Sequence, residues 1–257
     1  MNDVLRLKTF ECGPSPWDTD YFEVKSGRVT INESLDADSL QSVEIWASGY
    51  DFVTANNVGN NAHNNVMLSR SQLKPFLADV NVSFSLDLTK YSSQLCPTES
   101  VIISPNFDLD EGVLTVAREC FTHSRFFNDP YLAPEKANGL YAHWVKSAFN
   151  KPDRYFAKMD SGAETAAFAL FSFMPDGRIC RIELIGVSPR AGGKGFGALL
   201  LNRLLGYAVS MGAECVRVGT QLTNIRAACF YQKQGFEYSD CTTVFHIWPK
   251  EAGRINR

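Results

Sequence analysis

Apolar positions along this chain switch between a period of two and a period near 3.6, which separates strands from helices. Val80 to Leu88 alternates strictly and predicts a half-buried strand. Before it, Gly27–Ile31 reads as a strand, Asp36–Gly49 as a helix with Leu40, Val43, Ile45 and Trp46 partly on one face, and Asp51–Thr54 as a short strand. Asn56 to Asn65 holds six asparagines and Gly59, which predicts a polar loop with no core-forming residues. The polar stretch Tyr91–Ser100, with Pro97, marks a boundary and divides the chain into residues 1–97 and 98–257. The second part reads as strand 100–104, a helix from Asp110 to Phe121, a loop punctuated by Pro130 and Pro134, and helix 137–149. Strands 154–158, 166–173 and 179–187 follow, the last two joined through Pro175-Asp176-Gly177. Helix 196–211, strand 215–220, helix 224–234 and strand 242–248 complete the string, which implies an α/β layer fold with a mixed sheet.

Composition narrows the function classes. The chain has 257 residues, 45% of them hydrophobic, enough for one large or two smaller cores. A net charge of −3 and dispersed basic residues argue against nucleic acid or an anionic membrane as partner. No segment has the length of a membrane span, and the N-terminal residues lack a secretory pattern, so the expectation is a cytoplasmic protein without a membrane partner. Without such a signal, the sequons at Asn32 and Asn81 carry little weight. Seven widely spaced cysteines and four histidines show no metal-ligand spacing, and neither a metal nor a structural disulfide is expected.

Chemistry concentrates after strand 179–187. Val187-Ser188-Pro189-Arg190-Ala191-Gly192-Gly193-Lys194-Gly195-Phe196-Gly197-Ala198 runs from the strand through a glycine-rich turn into a helix. Few side chains obstruct the backbone there, so its N–H groups can converge on an anion at the positive end of the helix. A Walker loop is excluded because Gly195, not Ser or Thr, follows Lys194. A dinucleotide fingerprint fails because Gly197 falls one residue early for a count starting at Gly193. A tight turn with no ligand is the alternative. Downstream, Asn224 is followed by Ala227, Tyr231, Gly235 and Phe236.

The two motifs, in this order, resemble the GCN5-related N-acetyltransferase superfamily. The resemblance implies an α/β GNAT fold with a mixed, mostly antiparallel sheet flanked by helices over residues 98–257, preceded by a smaller, truncated GNAT-like lobe. It implies acyl-CoA as co-substrate and no metal. Gly192, Gly193, Lys194, Gly195, Phe196, Gly197 and Ala198 would cradle the pyrophosphate. Ile185, Gly186 and Val187 would pair with pantetheine amides, and Asn224 would hold the coenzyme, cap its helix, or both. The superfamily often has Arg or Gln at the position of Gly192; here Arg190 stands two residues earlier, so it is not expected to reach the pyrophosphate.

Trp17-Asp18-Thr19-Asp20-Tyr21-Phe22, Ser124-Arg125-Phe126 with Asp129-Pro130, Leu140-Tyr141-x-x-Trp144 and Thr220-Gln221-x-x-Asn224 resemble, more narrowly, the enzymes that N-acylate dTDP-linked amino-dideoxy sugars. Those enzymes are dimers that serve surface polysaccharide pathways. By this resemblance, Ser124, Arg125, Phe126, Asp129 and Tyr131 are the candidates for the sugar-nucleotide site. Arg can grip a diphosphate bidentately and aromatics can stack on thymine. Trp17 is expected to pack the N-terminal lobe, and Tyr141 and Trp144 fit helix core as well as substrate contact.

Amide formation from a thioester needs a neutral amine and a protonated leaving thiolate. Tyr231 matches the superfamily's proton donor to sulfur; a phenol, pKa near ~10, keeps its proton at neutral pH. Glu183 shares strand parity with Ile185 and Val187 and is the candidate base. The alternatives are a solvent-facing carboxylate paired with Arg181 or Arg178, and a base supplied by water. The acyl group (acetyl by default, or hydroxyacyl) and the position of the sugar amine stay open. So do another amine acceptor and a CoA-binding sensor without turnover.

Overall fold

The computed structural model describes residues 4–91 and 101–251; the expected boundary near Pro97 falls outside them. The strands are β1 (Leu5–Arg6), β2 (Phe10–Pro14), β3 (Ser26–Ile31), β4 (Phe52–Val58), β5 (Phe76–Asp87), β6 (Val101–Pro105), β7 (Tyr155–Ser161), β8 (Glu164–Phe173), β9 (Ile179–Val187), β10 (Cys215–Gln221) and β11 (Glu237–Ile247). The helices are α1 (Pro16–Phe22), α2 (Ala37–Ala47), α3 (Ala62–Ser69), α4 (Glu111–Cys120), α5 (Pro134–Ala148), α6 (Phe196–Ser210) and α7 (Ile225–Lys233).

All eleven strands form one sheet, in the order β1-β2-β3-β4-β11-β5-β10-β9-β8-β7-β6. Its pairings are antiparallel except β3–β4 and β9–β10. The order carries a crossover that local patterning does not report. β5, from the N-terminal part, lies between β10 and β11 of the C-terminal part and pairs with both along most of its length.

Helices cover both faces. On one, α6 and α7 bury Val82, Phe84, Ala167, Ala169, Phe171, Val216 and Val218, and α2 and α3 cover Val29, Ile31, Val53 and Phe245. On the other, α4 and α5 pack on Phe156, Phe168, Leu170 and Leu184, in a cluster that also takes in Phe22 and Phe52. Trp17 belongs here, contrary to the expectation that it packs the N-terminal lobe. Its ring meets His143 at 5.6 Å and Trp144 at 6.4 Å on α5, while the Tyr21 hydroxyl donates to the Lys136 carbonyl.

Helix starts follow the sequence. Asp36 and Asp110 accept the N–H groups of Ser39 and Val113 as N-caps, and Pro134 opens α5. The asparagine-rich segment departs from expectation. β4 runs through Asn56 and Asn57 to Val58, and α3 starts at Ala62. Asn57 is fully buried, with its amide donating to Asn65 and accepting from Asn64. Mutually satisfied amides can be buried where isolated ones cannot.

Candidate active site

β9 and β10 run parallel only from Ile179–Ile182 against Cys215–Val218; beyond these residues the two strands are not paired. The parting begins at a bulge. Leu170 on β8 faces Leu184 and Phe171 faces Ile182, so Glu183 is the extra residue. Strand parity therefore breaks at Glu183, contrary to the sequence reading. Ile185 and Val187 pack toward the α6/α7 core, whereas Glu183 accepts from Ser172 at 2.7 Å and pairs with Arg154 Nε at 3.2 Å. Its partners are thus neither Arg181 nor Arg178; Arg178 pairs with Glu214.

At the open end of β9 stands the glycine turn. Pro189–Ala191 form a 3-10 turn, then Gly193 (φ 77°) and Gly195 (φ 83°) adopt left-handed conformations that side chains disfavour. Among the described residues no acceptor faces the N–H groups from Gly193 to Ala198. They open α6, where the helix dipole adds positive potential. Gly197 lets α6 approach closely: a Cβ there would meet Val187 Cγ2 at 3.3 Å and Phe230 at 3.7 Å. Lys194 is exposed beside the turn. Arg190 turns to Glu119 and Glu164 instead. A second cation near the turn is Arg226, which sequence reasoning missed; its Nη2 lies 3.8 Å from where a Gly192 Cβ would sit.

Across the gap, Asn224 caps α7 by accepting the Ala227 N–H at 3.2 Å, and its amide N–H groups donate to no acceptor among the described residues. About two turns further, Tyr231 is 4% exposed, with ring contacts to Phe84 at 5.7 Å and Phe236 at 5.8 Å. Its hydroxyl has no hydrogen-bond partner among the described residues, and burial raises its pKa above the ordinary phenol value.

The opposite face of the gap carries a second polar group. The Tyr141 hydroxyl donates to the His123 carbonyl at 2.8 Å, and burial raises its pKa, opposed by Ser124, Arg125 and Gln221. Arg125 stacks its guanidinium over Phe126 at 4.2 Å, and its buried Nε has no partner. Burial lowers its pKa, with Asp18, Tyr141 and Asp79 opposing.

The sequence-predicted neighbours of Arg125 have structural duties. Ser124 accepts the Phe126 N–H, and Phe126 is core, 4.9 Å from Phe22. Asp129 is buried, with one oxygen shared by His246 Nδ1 at 2.6 Å and Trp248 Nε1 at 3.0 Å. Tyr131 is partly exposed near Phe76 and Trp248. The arrangement therefore has a turn of unpaired N–H groups and a buried phenol on one side of the sheet, and a cluster of polar side chains on the other. No group of His, Cys, Asp and Glu with metal-site geometry occurs among the described residues, and none of their helices is long and apolar enough to cross a membrane.

Residues 114–236 match the model of the Acetyltransferase (GNAT) family. The spore coat polysaccharide biosynthesis protein SpsD of Bacillus subtilis is 32% identical over 143 residues, 55% of this chain and about half (49%) of that protein's length. The dTDP-fucosamine acetyltransferase of Escherichia coli is 23% identical over 225 residues, 86% of this chain and 91% of that protein. Two solved structures share the fold over nearly the whole chain. One is a conserved protein of unknown function from Staphylococcus epidermidis (TM-score 0.69, 12% identity, 96% of this chain and 94% of that one). The other is a GCN5-related N-acetyltransferase from Kribbella flavida (TM-score 0.63, 12% identity, 95% and 88%).

Proposed function

We propose that this chain, whose residues 114–236 form an acetyltransferase domain of the GNAT family, transfers an acyl group from acyl-CoA to the amine of a dTDP-linked amino-dideoxy sugar. The observation that carries the acyl-CoA part is the parting of β9 and β10, with the free N–H turn at its mouth and Tyr231 beside it. In this reading, Gly192 to Ala198 bind the pyrophosphate through main-chain amides, assisted by Lys194. The main chain of Ile185, Gly186 and Val187, unpaired on its β10 side, pairs with the pantetheine arm, and Asn224 steadies it. Tyr231 holds its proton at neutral pH and gives it to the departing thiolate; in water this transfer runs uphill by about 1.5 pKa units (phenol ~10, thiol ~8.5), so it is coupled to C–S cleavage and completed when solvent reprotonates the phenolate.

The acceptor part is supported by the sugar-related relatives and by Arg125, a guanidinium with an unsatisfied buried nitrogen facing the α4/α5 side. Arg125 is the group in this reading that takes the diphosphate, with Tyr131 at its rim. Ser124, Phe126 and Asp129 shape the pocket from behind. The product would feed surface polysaccharide assembly in the cytoplasm, with the enzyme acting as a homodimer, which light scattering tests directly.

The decisive experiment mixes the protein with acetyl-CoA or 3-hydroxyacyl-CoA and with dTDP-3-amino or dTDP-4-amino-dideoxy sugars, following free CoA and product mass. An amide product with one isomer is expected. Turnover confined to amines without a nucleotide would reject the sugar reading, and absence of acyl-CoA binding by calorimetry would reject the acyltransferase reading.

A further inference from the structure

One carboxylate beside the gap makes a single local hydrogen bond and no ion pair among the described residues. Asp79 lies on β5, where the ladder to β11 is regular over Asn81–Thr242, Val80–Thr243 and Asp79–Val244. Asp79 and Asn81 therefore stand on one face of the strand. Val82 and Phe84 alternate with them: Val82 and Phe84 enter the α6/α7 core, so Asp79 and Asn81 look toward α4 and α5. Asn81 sits opposite Gln221, the last residue of β10. Asp79 is thus two residues beyond the end of β10, at the rim of the opening between β9 and β10.

The groups facing it come from the neighbouring elements. Arg125, which opens a 3-10 turn over Arg125–Asn128 between α4 and α5, and His123 before it act on Asp79 through charge, and Asp79 acts in turn on Tyr141 of α5. One oxygen, Oδ1, takes the N–H of Val80 at 2.8 Å. No ion pair engages the carboxylate among the described residues. Half-burial raises its pKa, with Val80, Arg125 and His123 opposing, which strengthens it as a base. The other carboxylate bordering this opening, Glu183, is occupied by Ser172 and Arg154.

We propose that Asp79, supplied by the N-terminal lobe and set on the sheet face opposite the one that carries Tyr231, is the proton acceptor for the incoming amine. This rests on the acyltransferase reading above. An acceptor arriving as an ammonium first loses one proton to solvent through the carboxylate. The nitrogen lone pair then forms the C–N bond, and the second proton passes from nitrogen to Asp79 Oδ2. As the C–S bond breaks, its electron pair stays on sulfur, which takes the Tyr231 proton; Asp79 returns its proton through solvent, and Tyr231 is reprotonated. The net change is amine plus thioester to amide plus thiol. Nucleophile and leaving group are served from opposite faces, so neither proton carrier blocks the other.

The test compares wild type with Asp79→Asn, Asp79→Glu and Glu183→Gln, using acetyl-CoA and the dTDP-amino sugar from pH 6.5 to 9.5. Asp79→Asn is expected to lower kcat/KM about 100-fold at pH 7. The deficit should shrink as pH rises and the amine becomes neutral unaided. Asp79→Glu should recover part of the loss, and Glu183→Gln should keep the wild-type pH profile. An Asp79→Asn protein within threefold of wild type at pH 7, or a Glu183→Gln protein that alone loses the acidic limb, would overturn the assignment. Calorimetric binding of acetyl-CoA to the same samples is expected to be unchanged. Its absence in wild type would instead reject the acyl-CoA reading, so the two failures are distinct.

Discussion

Replacing Tyr231 by phenylalanine removes one oxygen and leaves the ring. The ring is 4% exposed and stays wedged among Phe84, Phe230 and Phe236, so no cavity forms. The hydroxyl has no protein partner among the described residues, so no internal hydrogen bond is lost. Unfolding free energy should therefore change by less than about 1 kcal/mol. Catalysis should respond differently. A positioned general acid contributes about 10²–10⁴ in rate, which is about 2.7–5.5 kcal/mol of barrier. Single-turnover release of CoA thiol should fall at least about 100-fold, with acyl-CoA affinity preserved. Because burial lifts the phenol above ~10, its proton is retained across neutral and mildly alkaline pH. The stability linked to that neutral phenol is complete below ~10 and is lost only as pH rises beyond it. A Tyr231→Phe enzyme within threefold of wild type would refute the acid role. A large loss of stability would instead make the hydroxyl structural.

Three further outcomes follow from the same geometry. Gly186→Ala places a Cβ 2.5 Å from Cys120 Sγ and 3.2 Å from Phe168; a loss of about 1–3 kcal/mol is expected in denaturant titration, partly restored by Cys120→Ala. Arg226→Ala should raise the KM for acyl-CoA several-fold without changing kcat, whereas Arg190→Ala, whose partners are Glu119 and Glu164, should leave both unchanged. Burial lowers the His246 pKa despite the opposing Asp129 contact, so the fold binds the neutral ring. The corresponding stability is complete above ~6.5 and lost as pH falls below it; melting curves between pH 7.5 and 5.5 should show that decline, and a flat profile would contradict it.

The strand, glycine turn and helix around Val187–Ala198 were legible because proline, glycine spacing and a change of period mark them locally. Glu183 was misread because strict alternation assumes an unbroken ladder, and the bulge opposite Leu170 and Phe171 is set by a neighbouring strand. The asparagine segment misled for a related reason. Asn57 and Asn64 look solvent-loving one at a time and become interior residues by bonding each other, half-buried Asn65, Thr243 and nearby main chain. Asp79 gave no signal in a regular alternating strand; only its place at the end of β10 makes it distinctive.

The seat of β5 between β10 and β11 has a consequence for how the chain is born. On the ribosome, Phe84 emerges long before Val218 and Tyr238, the residues that will flank it. Until then, a twelve-residue strand has both hydrogen-bonding edges unsatisfied. Nascent chains held short of β10 should bind trigger-type chaperones through this segment and let go once β11 clears the exit tunnel.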